Sequence, residues 1–296
     1  MRELAKIIAY LVAVVLLGAL LAPLLYWAGN ALADGGTFRF LGDVSFQRYF
    51  NRAVLVAALV LLWPTVRSLR LGGWRDLGLE PDERWRAHLS TGLVIGAGLV
   101  ALMALFYVPL GFYRWKGDLP SWRQLPSLAL SAVVVALLEE CLFRGGILGL
   151  FRRTLRPFTA LFWVTAIFAI VHFLKPDEEF MIQDVRWLSG FALLPRVFHQ
   201  FTEPMSVLAS FTTIFVLGWV LGYATLRTRS LWLAIGFHAG VVFVKMSFAK
   251  FTKREALSLP WVGPELQIGL VPVGVLALGG VLIWFWLRHE NSTTRG

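Results

Sequence analysis

Residues 129–151 read ALSAVVVALLEECLFRGGILGLF, an apolar run interrupted in its middle by Glu139, Glu140 and Arg144. Apart from those three and Ser131, nothing in it is strongly polar. It exceeds the roughly 20 apolar residues that a helix needs to cross a bilayer core of about 30 Å. A charge at that depth costs about 2.5–3.5 kcal/mol on insertion scales, so such residues face a cavity or one another and carry function. The stretch therefore reads as a transmembrane helix that holds a polar site.

The rest of the chain has the same character. Of its 296 residues 57% are hydrophobic and only 16% charged, against about 45–50% and 25% in soluble domains. Mean hydropathy is +0.68. Eight candidate spans emerge, at about Ala5–Ala28, Ala53–Val66, His88–Phe112, Leu125–Phe151, Phe158–Leu174, Ser206–Leu226, Leu231–Phe248 and Leu266–Leu287. Lipid leaves a spanning backbone few alternatives to helix, so the expected fold is an all-α polytopic bundle. Residues 1–296 are expected to form one integral membrane domain with its motif-bearing core at about 125–242. Ala31-Leu32-Ala33 imitates a signal cleavage site, but the run from Ile7 to Ala28 is longer than a signal h-region. The first helix is expected to be retained.

The formal net charge of +10 does not point to nucleic acid, because the arginines gather at the ends of apolar segments, where they anchor helices. Arg67, Arg70, Arg75, Arg84 and Arg86, then Arg152, Arg153 and Arg156, then Arg227 and Arg229 fill the tight connections of one side. Their density predicts a cytoplasmic N-terminus. The other side also carries basic residues, among them Arg39 and Lys175. Two connections are more than turns: Leu71–Arg86, with Trp74 and Trp85 among charges, and Lys175–Pro204, with Phe191–Leu194. Both suit an interfacial or re-entrant segment, or an ordered loop with no substrate role. A single cysteine, Cys141, excludes an internal disulfide and a thiolate metal cage.

His172 and His238 are the other ionisable groups inside apolar spans. Glu140 lies four residues before Arg144 and can pair with it on one helix face. Glu139 is rotated about 100° from Glu140, which leaves it available for chemistry. Glu139 and His172 stand equally far from the turn between the fourth and fifth spans, so they are expected level in the membrane, with His238 somewhat shallower. One carboxylate and two imidazoles can polarise a water for attack on an amide and steady the oxyanion. The same three could instead hold a divalent metal such as Zn²⁺, although no H-E-x-x-H helix is present.

These residues resemble the CAAX-processing and bacteriocin-processing (Abi) family of intramembrane proteases, which includes the Ras-converting type of prenyl-protein protease. Its E-E-x-x-x-R motif stands as Glu139-Glu140-Cys141-Leu142-Phe143-Arg144, and its F-x-x-x-H motif as Phe168-Ala169-Ile170-Val171-His172. The third motif stands as His238 in SLWLAIGFHAG. The resemblance implies a glutamate-dependent endopeptidase in which Glu139 and His172 activate water and His238 assists the oxyanion. It implies that Glu140 and Arg144 support the site and that Phe168 packs beside it. Expected partners are membrane lipid and a membrane-associated protein or peptide with a prenylated tail or a leader. One departure is Val242, where the family often has a polar residue; Lys245, on nearly the same face, could compensate or snorkel to the interface. Val242 also fits a scaffold or immunity protein without turnover, and intramembrane acids and histidines occur in transporters, whose repeats are missing here. A thiol mechanism through Cys141 is the remaining rival. Peptide hydrolysis should stay largely intact in Cys141→Ala and vanish in Glu139→Gln; the opposite pattern would identify a cysteine protease.

Overall fold

The computed structural model describes residues 2–36, 41–42, 44–68, 75, 77–117, 122–173, 182, 184–195 and 204–293. Arg39, Arg70, Trp74, Leu174 and Lys175, with much of the Lys175–Pro204 connection, lie outside the described residues. In chain order the elements are α1 (Arg2–Asp34), α2 (Phe46–Ser68), α3 (Trp85–Tyr107), β1 (Tyr113–Trp115) and α4 (Leu125–Glu140). A π-helical turn (Cys141–Leu148) and α5 (Gly149–Phe151) continue α4. Then come α6 (Pro157–Val171), α7 (Ser189–Ala192), α8 (Pro204–Thr228), α9 (Trp232–Phe251), β2 (Thr252–Arg254) and α10 (Leu270–Thr293). The fold is an all-α membrane bundle with one small antiparallel ribbon of β1 and β2.

Each of the eight expected spans falls on a helix, but among the described residues six are long and apolar enough to cross a membrane. The fifth span, α6, has 15 residues, about 22 Å at 1.5 Å per residue, short of the bilayer core. The second, α2, starts with Gln47, Arg48, Asn51 and Arg52, and its apolar stretch ends at Pro64. The expected third span also ends early. The helix stops at Tyr107, and Gly111 turns the chain at φ +78° into β1.

The described residues form two compact units, one of 1–71 with 171–203, the other of 72–170 with 204–296. In the first unit α1 and α2 run antiparallel: the Tyr10 hydroxyl donates to the Ala58 carbonyl (2.9 Å), and Tyr26 meets Tyr49 and Phe46 edge to face. The short α7 docks onto this pair. Gly190 lies against the backbone of Ala19, and Leu193 is buried among Ala19, Ala22 and Phe50. The described part of the 171–203 connection is thus packed into the first unit.

In the second unit α3 and α9 lie parallel with their backbones in contact. A Cβ on Gly92 would fall 2.7 Å from the Phe237 nitrogen, and one on Gly240 would fall 2.6 Å from that of Ala97. Gly96 and Gly236 are equally closed, by Phe237 and by Leu89 with Leu93. Lipid offers no hydrophobic drive to bring helices together, so small residues that allow close backbone approach decide such pairs. The stretch 77–84 also turns inward: Leu77 and Leu79 are buried, and the Leu231 amide donates to the Gly78 carbonyl (2.8 Å). Gly236→Leu should destabilise the protein by about 3 kcal/mol, read as a lowered thermal unfolding midpoint in detergent. Gly98→Leu, on α3 but with open space around it, should leave the midpoint unchanged.

Candidate active site

Glu140 ends α4 and is fully buried, and Arg144 lies one turn on, inside the π-helical segment. Arg144 Nη1 donates to Glu140 Oε1 at 3.0 Å, and Nη2 donates to the Gly218 carbonyl of α8 at 3.1 Å. The guanidinium carbon stands 4.2 Å from the ring centre of Phe168 on α6, a cation–π contact in a desolvated place. Phe143 meets Phe168 edge to face at 5.0 Å. The guanidinium thus meets a carboxylate, a backbone oxygen and a ring face.

His238, on α9, joins this pair. Its Nδ1 is 2.9 Å from Glu140 Oε1 and its Nε2 is 3.8 Å from Glu139 Oε2. Glu140, ionised against Arg144, has no proton to give, so Nδ1 carries the hydrogen of that bond. The Nε2 edge is thereby turned to Glu139. The two glutamates differ in access: the Glu139 side chain is 25% exposed and that of Glu140 0%. Phe168 also stands 6.2 Å from the imidazole, edge to face.

The structure thus brings Glu139, Glu140, Arg144, Phe168 and His238 together. His172 follows the last residue of α6, in the turn at 172–173, half-buried, and belongs to the first unit. Both glutamates lie beside the one imidazole of His238. A rotation of about 100° is bridged because the nitrogens of one imidazole lie on different edges of the ring, one toward each carboxylate. Lys245 is paired with Glu265 at 3.0 Å, and Cys141 is a buried free thiol.

Sequence reasoning missed Gly218 and its carbonyl. The signal was Gly218-x-x-x-Gly222 in α8: a Cβ on Gly218 would stand 3.1 Å from Phe168 and 3.4 Å from Arg144 Nη2. The missing side chain is what lets the guanidinium reach the backbone. Among the described residues no three His, Cys, Asp or Glu side chains are grouped as metal ligands. Glu140 already shares one oxygen between a guanidinium and an imidazole, and a cation beside Arg144 would meet repulsion.

Removing one member of a buried ion pair costs about 3–5 kcal/mol, because the other charge stays behind. Glu140→Gln should therefore lower the unfolding midpoint sharply, and Glu140→Gln/Arg144→Met should recover much of the loss. A double variant less stable than the single one would refute a shared charge balance.

No curated protein and no solved structure matches the chain. Residues 121–244, which contain Glu139, Glu140, Arg144, Phe168, His172 and His238, match the sequence model described as type II CAAX prenyl endopeptidase Rce1-like. Over that segment this membrane protein is similar to the CAAX protease family that its motifs resemble.

Proposed function

We propose that the protein is a glutamate-dependent intramembrane endopeptidase, acting on a membrane-associated substrate with a prenylated tail or a leader. The observation that carries this reading is the pairing of an accessible Glu139 with His238, backed by a buried Glu140–Arg144 ion pair. In the proposed reaction Glu139, with His172 as its partner by the family pattern, takes a proton from a water as that water attacks the scissile carbonyl carbon. His238 donates from Nε2 to the oxyanion that forms. With Nδ1–H committed to Glu140, that donation requires the ring to carry both protons, and the two carboxylates supply the counter-charge. The tetrahedral intermediate then collapses, the carbon–nitrogen bond breaks, and Glu139 returns the proton to the leaving amine. Each general-acid or general-base contribution is worth about 10²–10⁴ in rate. The density of arginine in the tight connections supports a cytoplasmic N-terminus.

A non-catalytic scaffold is the second reading, favoured by one observation: Val242 is apolar and half-buried one turn after His238. Incubating the purified full-length chain in lipid nanodiscs with prenylated and unprenylated peptides separates the two. The expected result is product whose rate falls by about 10²–10⁴ in Glu139→Gln and comparably in His238→Asn. Failure to cleave any substrate, or cleavage indifferent to Glu139, would overturn the proteolytic reading.

A further inference from the structure

Arg144 and His238, the two side chains that hold Glu140, come from segments touched by one short stretch of chain. That stretch is 77–79, in the connection that leads into α3. Leu77 and Leu79 are buried, and Gly78 turns the chain at φ +76°, its amide donating to the Arg75 carbonyl at 2.9 Å. On one side this strap meets the π-helical turn. A Cβ on Gly145 would fall 2.9 Å from the Leu77 carbonyl oxygen and 3.1 Å from Leu77 Cδ2, so the residue next to Arg144 lies flat against the Leu77 backbone. On the other side it meets the start of α9, where the Gly78 carbonyl accepts from the Leu231 amide at 2.8 Å. Leu231 is fully buried and precedes His238 by about two helical turns. Trp85, the first residue of α3, meets Trp232 at 5.1 Å between ring centres. The glycine contacts of α3 hold α9, and the strap extends that frame to the segment that carries Arg144.

Tolerances at the site make this connection consequential. His238 Nδ1 stands 2.9 Å from Glu140 Oε1, and bonds of this type leave their usual range above about 3.2 Å. A shift of about 0.3 Å between α9 and the π-helical turn is therefore enough to loosen it. A methyl on Gly145 needs about 0.4 Å more room than Leu77 leaves, since carbon and carbonyl oxygen stand about 3.3–3.6 Å apart even in close contacts. The atom in the way belongs to the backbone and cannot swing aside as a side chain would. The displacement demanded exceeds the slack available.

We propose that the Leu77–Leu79 strap positions His238, with Gly78 and Gly145 as its positioning residues. It sets how far α9 stands along the π-helical turn, and so whether the imidazole reaches Glu140. The contact itself is independent of the proteolytic reading; its consequence for cleavage rests on that reading.

The test is the rate at which the His238 Nδ1 proton exchanges with water. It is read by nitrogen NMR of the full-length chain, isotopically labelled at histidine, in nanodiscs well below the unfolding midpoint, and His238→Asn identifies the signal. Gly145→Ala should speed exchange by about tenfold. Gly78→Ala, strained by its left-handed backbone, should act in the same direction. Gly78→Asn tolerates that conformation better and should return the rate toward that of the unaltered chain. The Gly78 pair decides the matter if Gly145→Ala does not fold. Tyr10→Phe removes a hydrogen bond between α1 and α2 and should lower the midpoint without moving the His238 signal. On the proteolytic reading, Gly145→Ala should also lower kcat by about 10- to 100-fold and leave KM unchanged. A chain that cleaves nothing would end that reading and leave the exchange result standing. Exchange unmoved in folded Gly145→Ala, exchange no slower in Gly78→Asn than in Gly78→Ala, or the same change in Tyr10→Phe would each overturn the positioning role.

Discussion

The site depends on one carboxylate that has no access to solvent. Glu140 is fully buried in the membrane-spanning part of the chain, where an uncompensated charge is not sustainable. Its Oε1 atom therefore accepts from both Arg144 and His238. Each of those partners drags an element with it. Arg144 needs the α8 backbone at Gly218 and the α6 ring of Phe168, and His238 comes from α9. Four helices are thus positioned by the electrostatic requirements of a single side chain. The π-helical turn sits where these demands converge, as such turns often do at functional sites.

A second constraint makes the first achievable. Gly236 and Gly240 press α9 against α3, and a residue two positions after Gly236 points about 200° around the helix. His238 is that residue, so the contact that locks α9 to α3 also turns the imidazole away from α3 and toward α4. Packing and chemistry use opposite faces of one helix.

Some of this was legible in the sequence. The Glu140–Arg144 pair follows from four-residue spacing alone, and Gly92-x-x-x-Gly96 is a pattern that serves close contacts within a bundle. The membrane class and the helices themselves came from apolar runs and their breakers. What escaped was whatever depends on a partner from elsewhere in the chain. The approach of His238 to both glutamates is tertiary, since no local pattern says which way α9 is rotated. The reach of Arg144 to Gly218 needs a missing side chain 74 residues away. Hydropathy marks apolar stretches without measuring the helix that carries them, so eight apolar stretches correspond to six helices of spanning length among the described residues, and α6 ends at Val171, just before the histidine that the motif makes prominent.

Burial divides labour between the adjacent acids. A carboxylate that must stay charged to neutralise Arg144 cannot also shuttle protons, because protonating it would strand the guanidinium. On the proposed reading Glu140 is therefore the structural acid, and the partly exposed Glu139 the one that gains and loses a proton. The same argument extends to the oxyanion on the proposed reading. Lys245 is held by Glu265 and Val242 has no donor, so the donation rests on His238. Its Nδ1 is tied to the buried pair, which holds the ring with its Nε2 edge toward Glu139. The ion pair that stabilises the fold thus also fixes which edge of the imidazole faces the proposed reaction.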